Sequence, residues 1–475
     1  MLFCSQQFIL FFLGVFTAYW LLPTQQLRVW LLLVASFFFY RSWSETLVWL
    51  IVCTSTLDYL IARLLDVTTR PYVRRLLVTV TVCSNLGMLC YFKYANFFLA
   101  SLRDGLHAAG VSSSFPVLAV VLPVGISFYT FEAISYVVDV YRGKIQAECN
   151  LVHFLVFILF FPHLIAGPIV RGSDFLPQLR NQRRWSWPRA HLGLQLFLLG
   201  MFKKLAIGDR MALLADPVFA DPGAFRPYVL WIALFAYAVQ IYCDFSGYTD
   251  MALGCAQLLG YRLSQNFYLP YLAPNIAEFW RRWHMSFSYW LRDYLFIPMG
   301  GSKGSSLRTY RNLIVVMVMG GLWHGAGLTF IVFGLVHGGW LCLHRVFRAW
   351  AQLRPRVDTA LKTFAGTCCR IALTFVVFSL TLILFRAASL SLAADYLGRM
   401  FSFVNAGRGE PFNLTNIVLL AALVAVGHLL AARERWWRLL ESVPPVVRGA
   451  AYAGLTTVAL VLAPGAGKTF IYFQF

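Results

Sequence analysis

The chain has 475 residues, 59% of them hydrophobic and only 13% charged, about half the charged share of a soluble globular protein. With a mean hydropathy of +0.67, that composition excludes a soluble enzyme. The Leu- and Phe-rich runs are also too long for the alternating strands of a membrane β-barrel. The net charge of +20, from 40 Lys and Arg against 20 Asp and Glu, reads as the positive-inside bias of cytoplasmic loops attracted to an anionic leaflet. No nucleic-acid-binding signature accompanies it.

The expected fold class is therefore all-α: a polytopic integral membrane protein, one domain over 1–475, with its motif-bearing core at about 116–345. In chain order, apolar runs predict spans near 8–22, 28–40, 46–62, 76–101, 116–140, 151–170, 191–215, 228–258, 312–345, 371–388, 414–432 and 447–463. The first Lys or Arg is Arg28, so the start of the chain reads as a first spanning helix rather than a cleaved signal. The ten cysteines form no C-x-x-C pair. Cys53, Cys83, Cys90, Cys243 and Cys342 lie in apolar runs and read as small buried hydrophobes. Cys368-Cys369 beside Arg370 has the composition of an acylation site, but packing is the simpler reading.

Basic loops set sidedness. Arg63 to Arg75, Arg142 and Lys144, Arg171 to Arg189, Arg281 to Arg311 and Arg345 to Arg370 mark five cytoplasmic segments, which places the N-terminus outside. The run 151–170 is basic on both flanks and contains Pro162, Gly167 and Pro168. It should enter and leave on one face as a broken element, tolerated only where it is buried in protein or lines a cavity. The run 312–345 is also basic on both flanks. As a single helix its 34 residues would extend about 51 Å, beyond a hydrocarbon core of about 30 Å. Gly320-Gly321 and Gly325-x-Gly327 sit mid-run, so a helical hairpin is predicted with His324 near its deep turn.

Ionisable residues inside a bilayer are costly and mark candidate sites, and histidine is suited to exchange a proton near neutral pH. His324 in Gly320-Gly-Leu-Trp-His324-Gly and His284 in Glu278-Phe-Trp-Arg-Arg-Trp-His284 are the leading catalytic candidates, expected to meet at the floor of one cavity. His324 also suits an interior imidazole bonded to a carbonyl, and the tryptophans around His284 also suit an interfacial belt. Trp283, Trp323, Asp244, Ser246 and His163 are candidates to line the cavity. Asp244, in Tyr242-Cys-Asp-Phe-Ser-Gly-Tyr-Thr-Asp250, needs a cationic partner, expected to be Arg or His. Pro464-Gly-Ala-Gly-Lys-Thr469 echoes a phosphate loop, but Leu462 stands where the first glycine belongs. No metal-ligand spacing occurs.

Seven segments together resemble the membrane-bound O-acyltransferase superfamily, in its bacterial branch of alginate O-acetylation proteins. They are Leu122-Pro-Val-Gly-Ile-Ser-Phe-Tyr-Thr-Phe131, Phe160-Phe-Pro-His-Leu-Ile-Ala-Gly-Pro168, Gln240-Ile-Tyr-Cys-Asp-Phe-Ser-Gly-Tyr248, Glu278-Phe-Trp-Arg-Arg-Trp-His284, Arg292-Asp-Tyr-Leu-Phe-Ile-Pro-Met-Gly-Gly301, Gly321-Leu-Trp-His-Gly325 and Phe470-Ile-Tyr-Phe-Gln-Phe475. The resemblance implies a funnel-shaped fold of about eleven spans with re-entrant or broken helices, both termini outside, in a bacterial inner membrane. It maps the family's catalytic histidine onto His324 and its second polar site residue onto His284. Glu132 and His163 depart from it, standing where relatives often carry Gln.

The activity so implied is acyl transfer, usually of acetyl from cytosolic acetyl-CoA, with no bound cofactor. The acceptor would be a periplasmic or extracellular polysaccharide such as alginate, cellulose or another exopolysaccharide, reached through a separate acetyltransferase partner protein. Neutral His324 would take the acceptor's proton. His284 would position the thioester or stabilise its oxyanion. Arg281, Arg282, Lys303 and Arg308 would hold donor phosphates, although plain positive-inside charge explains the same cluster. D-alanyl transfer to teichoic acid and a non-enzymatic transporter with a midplane histidine relay are the alternatives.

Overall fold

The apolar runs fold as helices that start and stop at local signals. The computed structural model describes residues 1–111, 117–118, 120–165, 167–402, 407–409, 414–432 and 442–463. The endings at 464–469 and 470–475 therefore lie outside the described residues. In chain order the helices are α1 (Gln6–Leu21), α2 (Gln25–Arg41), α3 (Leu47–Val67), α4 (Pro71–Leu89), α5 (Ala95–Ala108), α6 (Ile126–Tyr141), α7 (Leu151–Leu159), α8 (Phe161–Leu164), α9 (Gly172–Arg180), α10 (Trp187–Phe202), α11 (Asp209–Ala220), α12 (Pro227–Leu258), α13 (Ile276–Arg282), α14 (Met285–Leu291), α15 (Ser306–His324), α16 (Leu328–Gln352), α17 (Pro355–Lys362), α18 (Phe364–Arg386), α19 (Leu390–Met400), α20 (Leu414–Ala431) and α21 (Pro445–Leu462). Side chains of Ser5, Thr24, Asn150, Ser305 and Thr363 cap helix N-termini by accepting backbone N–H bonds.

No β-strand occurs among the described residues; the one isolated bridge joins Phe225 and Arg408. Seven helical stretches there are long and apolar enough to cross a membrane: Leu47–Val67, Pro71–Ala108, Trp187–Ala220, Pro227–Leu258, Leu328–Gln352, Phe364–Arg386 and Pro445–Leu462. Shorter apolar helices cover Gln6–Leu21, Leu151–Leu164 and Thr415–Ala431. The protein is a multi-pass, all-α membrane protein. Two of the long stretches carry π turns, at Cys90–Tyr94 and Lys203–Gly208.

The chain divides into two compact units, Met1–Phe197 with Met251–Ser264, and Leu198–Asp250 with Gln265–Phe475. In the first, α3 packs on α4 and α6, and α2 packs on α7. Asp58 of α3 is clasped by Asn85 of α4, whose Nδ2 donates to both carboxylate oxygens at 3.0 and 2.9 Å. This meets the requirement that a buried charge be hydrogen-bonded.

The broken element at 151–170 is present, as α7 and α8 joined at Phe160. The buried backbone at the break is met from within the same unit: Ser36 Oγ accepts from Phe161 N at 3.1 Å, and Glu132 Oε1 accepts from Val170 N at 2.8 Å. Glu132 also lies 3.3 Å from His163 Nδ1, and the other imidazole nitrogen of His163 bonds the Phe157 carbonyl at 3.1 Å. The two departures from the family pattern are thus each other's partners. His163, 1% exposed, braces the broken segment.

Three expectations need correction. The run predicted as one span from 116 enters helix only at Ile126, because Pro123 and Gly125, at φ +76°, stop it from starting sooner. Asn96 and Tyr40 instead bond the carbonyls of Leu118 and Val124. Cys53, Cys83 and Cys90 are exposed rather than buried; a face turned to lipid is as apolar as a core, so composition does not separate the two. Asp244 meets a lysine where Arg or His was expected. In the second unit Lys204 bridges it to Asp209, with 2.8 Å to Asp209, while Lys203 meets Asp250 at 2.6 Å. Gly247 makes this possible, since a Cβ there would stand 2.7 Å from the Gly200 carbonyl.

Candidate active site

The helices α15 and α16 form the predicted hairpin, with His324 the last residue of α15 and Gly325 to Gly327 the turn. Glycines let the two arms touch. A Cβ on Gly321 would collide with the Phe330 carbonyl oxygen, and one on Gly334 with that of Met317. The Phe330 ring occupies the space that a Cβ on Gly325 would need. A side chain at any of these positions would push the arms apart and move His324.

His324 lines a cavity of about 420 Å³ within the second unit, a size typical of small-molecule sites. The wall on α15 runs from Leu313 to His324, eleven residues on, or about 16 Å along the helix axis. Facing it are Trp280 and Arg281 of α13, Phe287 and Ser288 of α14, and Arg292 just beyond. Although it reaches the cavity, the imidazole is 4% exposed. It packs among Trp323 (5.1 Å between ring centres), Phe385 (5.1 Å) and Phe287 (5.5 Å).

His284 is placed differently from expectation. It is 0% exposed and does not line the cavity. Instead its ring leans on the same two aromatic side chains as His324, Phe287 at 5.0 Å and Trp323 at 5.7 Å. The backbone at His284 is left-handed, φ +44° and ψ +54°, an unusual conformation for a residue with a Cβ. It joins α13 to α14. Asn266 Oδ1, in the irregular segment before α13, holds the joint. It accepts from Ser286 N at 3.2 Å and Ser286 Oγ at 2.6 Å, and faces His284 Nδ1 at 3.3 Å. An amide oxygen only accepts, so Nδ1 of His284 carries the proton of that contact.

Trp280 in the cavity wall has its own support. Its indole N–H donates to His337 Nδ1 at 3.3 Å, and His337 Nε2 meets Thr381 Oγ1 at 3.0 Å. Thr381 in turn donates to the Phe378 carbonyl at 2.6 Å. Each group in that series has its role fixed by the next, so His337 is neutral with its proton on Nε2.

Of the basic candidates only Arg281 lines the cavity. Glu278 tempers it, with Oε1 2.8 Å from Arg281 and Oε2 3.6 Å from Arg282. Arg308 packs over Gly300 and donates to the Met299 carbonyl at 3.4 Å, Lys303 is exposed, and neither they nor Arg282 line the cavity. Arg292, absent from the donor-binding candidates, does line it, beside its partner Asp293 at 2.8 Å. Trp323 and Trp283 are each 3% exposed; Trp323 packs against Phe287 at 4.4 Å. None of Asp244, Ser246, Trp283 and Trp323 lines this cavity, and His163 belongs to the other unit. Asn266 and Arg292 are site residues that sequence reasoning missed, and His337, a histidine in an apolar stretch whose His337-Gly-Gly-Trp340 run echoes an oxyanion turn, was set aside in favour of His163. Arg292 opens a motif segment and was there to be found. Asn266 carries no spacing signal, because its partners are distant in the chain.

Comparison with known proteins agrees with the motifs. The model of MBOAT, the membrane-bound O-acyltransferase family, matches residues 8–388. The chain is 41% identical over 406 residues to the probable alginate O-acetylase AlgI of Pseudomonas syringae pv. tomato, covering 85% of this chain and 76% of that one. Identity to the probable alginate O-acetylase AlgI of Pseudomonas aeruginosa is 42% over 406 residues, 85% and 75% of the two chains. To the peptidoglycan O-acetyltransferase of Helicobacter pylori it is 36% over 402 residues, 78% and 73%.

Proposed function

The chain belongs to the membrane-bound O-acyltransferase family and is an O-acyltransferase; from that premise we propose that it moves an acetyl group from cytosolic acetyl-CoA to a hydroxyl of a polysaccharide outside the bacterial inner membrane. The names of the relatives, an alginate O-acetylase and a peptidoglycan O-acetyltransferase, support a carbohydrate acceptor. The acceptor is reached through a separate periplasmic or extracellular partner protein.

The observation that carries the reading is His324 on the wall of a cavity that also holds two guanidinium side chains. Neutral His324 takes the acceptor's O–H proton as the oxygen attacks the thioester carbonyl. The C–S bond then breaks, the thiolate leaves, and the imidazolium returns the proton to sulfur. Arg281 and Arg292 hold the donor's phosphates, a role guanidinium geometry suits. His284 acts as a positioning residue, holding Phe287 and Trp323 against the base.

Among the described residues, Ser288 is the one serine or threonine in the cavity wall, and its hydroxyl donates to the Trp283 carbonyl at 3.3 Å. That engagement favours direct transfer from thioester to alcohol. The test is His324→Gln, which keeps size and polarity but cannot shuttle a proton. With labelled acetyl-CoA, ester formation should fall about 10²- to 10⁴-fold while membrane insertion stays normal. A variant that esterifies at the unaltered rate overturns the assignment.

A further inference from the structure

A second cavity, of about 330 Å³, lies where α16 ends and α18 begins. Two guanidinium residues line it, Arg348 of α16 and Arg370 of α18, together with His344. Much of the remaining wall is apolar, with Leu343, Phe347 and Leu373 exposed on the outer faces of their helices.

Both helices are long and apolar enough to span the membrane, and α17 joins them on one side. Arg348 is four residues from the end of α16 and Arg370 six from the start of α18, about 6 and 9 Å along the axes. That is interfacial depth, where long basic side chains reach the headgroup layer. The cavity thus offers cations at the level of lipid phosphates and apolar side chains where lipid tails run.

The cations are only partly neutralised. Among the described residues Asp358 of α17 is the acid facing them, 3.6 Å from Arg348 and 2.5 Å from Lys362. The Lys362 hydrogen bond, with the charges of Arg348 and Arg370 behind it, holds the Asp358 carboxyl below the usual carboxylate range. Among the described residues, one carboxylate therefore serves three cations. Arg370 donates to Thr367 Oγ1 at 3.3 Å, yet its Nε is buried and has no hydrogen-bond partner among the described residues. A buried guanidinium N–H calls for an acceptor.

We propose that this cavity is a binding site for an anionic phospholipid, whose phosphate is held by Arg348 and Arg370 and whose acyl chains lie along Leu343, Phe347 and Leu373. Charge complementarity selects the headgroup, and the apolar wall selects a lipid over a free phosphate. The floor of the cavity includes Asn275 and Ile276. Asn275 caps α13 by accepting from Glu278 N at 2.9 Å, and α13 carries Trp280 and Arg281 into the cavity around His324. The lipid would therefore sit against the foot of the helix that builds part of the active site.

The test measures lipid retention by native mass spectrometry of full-length protein exchanged into detergent with equal phosphatidylglycerol and phosphatidylcholine. Wild-type protein should retain phosphatidylglycerol at least about tenfold over phosphatidylcholine, and R348Q/R370Q should lose that preference. R345Q, a control on the exposed face of α16, should keep it. Equal retention of the two lipids by wild type, an unchanged preference in R348Q/R370Q, or the same loss in R345Q overturns the proposal. Displacement of the lipid by millimolar inorganic phosphate would assign a soluble anion and also overturn it. Should the double variant fail to fold, wild type alone decides: phosphatidylglycerol must raise its melting temperature and phosphatidylcholine must not.

Discussion

At His284 the backbone and the side chain want different residues. The left-handed conformation, φ +44°, favours glycine or asparagine, and a Cβ there costs on the order of 1–2 kcal/mol. The imidazole offsets that through Asn266 and the rings of Phe245, Phe287 and Trp323. His284→Ala loses those contacts and keeps the strain, whereas His284→Gly loses them and relieves it. Thermal unfolding in detergent should find the glycine variant more stable than the alanine variant by about 1 kcal/mol, with both losing acyl transfer. An alanine variant as stable as the glycine one would remove strain from the account. Tryptophan-rich spacing made His284 visible in the sequence, but Asn266 was not visible. It lies 18 residues away in a segment without periodicity, and only the fold brings it to the imidazole.

Among the elements, the α15–α16 hairpin was the most legible, because its glycines and excess length left a single helix no way to fit. The broken segment at 151–170 was legible for a similar reason, since Pro162 cannot continue a helix. The stretch before Ile126 was not, because hydropathy measures solvent and not backbone geometry. Lys204 carries no spacing signal, because Asp244 lies on another helix; in the fold both lysines of the π turn at Lys203–Gly208 meet carboxylates of α12, Lys203 at Asp250 and Lys204 at Asp244. Close approach in the hairpin gives a graded prediction. Gly321→Ala and Gly334→Ala each bring a methyl group onto a backbone carbonyl of the opposite arm, and should destabilise by about 1–3 kcal/mol as overpacked sites do. Gly339→Ala in α16 has nothing within 4 Å and should leave stability within about 1 kcal/mol of wild type or raise it. Melting curves showing all three variants alike would mean that the arms are not held by their glycines.

At the scale of the whole molecule, the length of one helix bears on the direction of transfer. Helix α15 has 19 residues, about 28 Å, close to the thickness of the hydrocarbon core. Its first turn follows the basic segment read as cytoplasmic, and His324 stands at its other end. The cavity wall on α15 runs about 16 Å from Leu313 to His324, so a donor entering at the Leu313 end needs an extended arm to bring its thioester to the imidazole. Transfer should therefore cross the bilayer. Proteoliposomes holding labelled acetyl-CoA inside, with acceptor glycan and the partner protein only outside, should form labelled ester outside, and His324→Gln vesicles should not. Ester that forms only when donor and acceptor share a compartment would show that His324 serves one face alone, and the vectorial reading would fall while the base assignment stood.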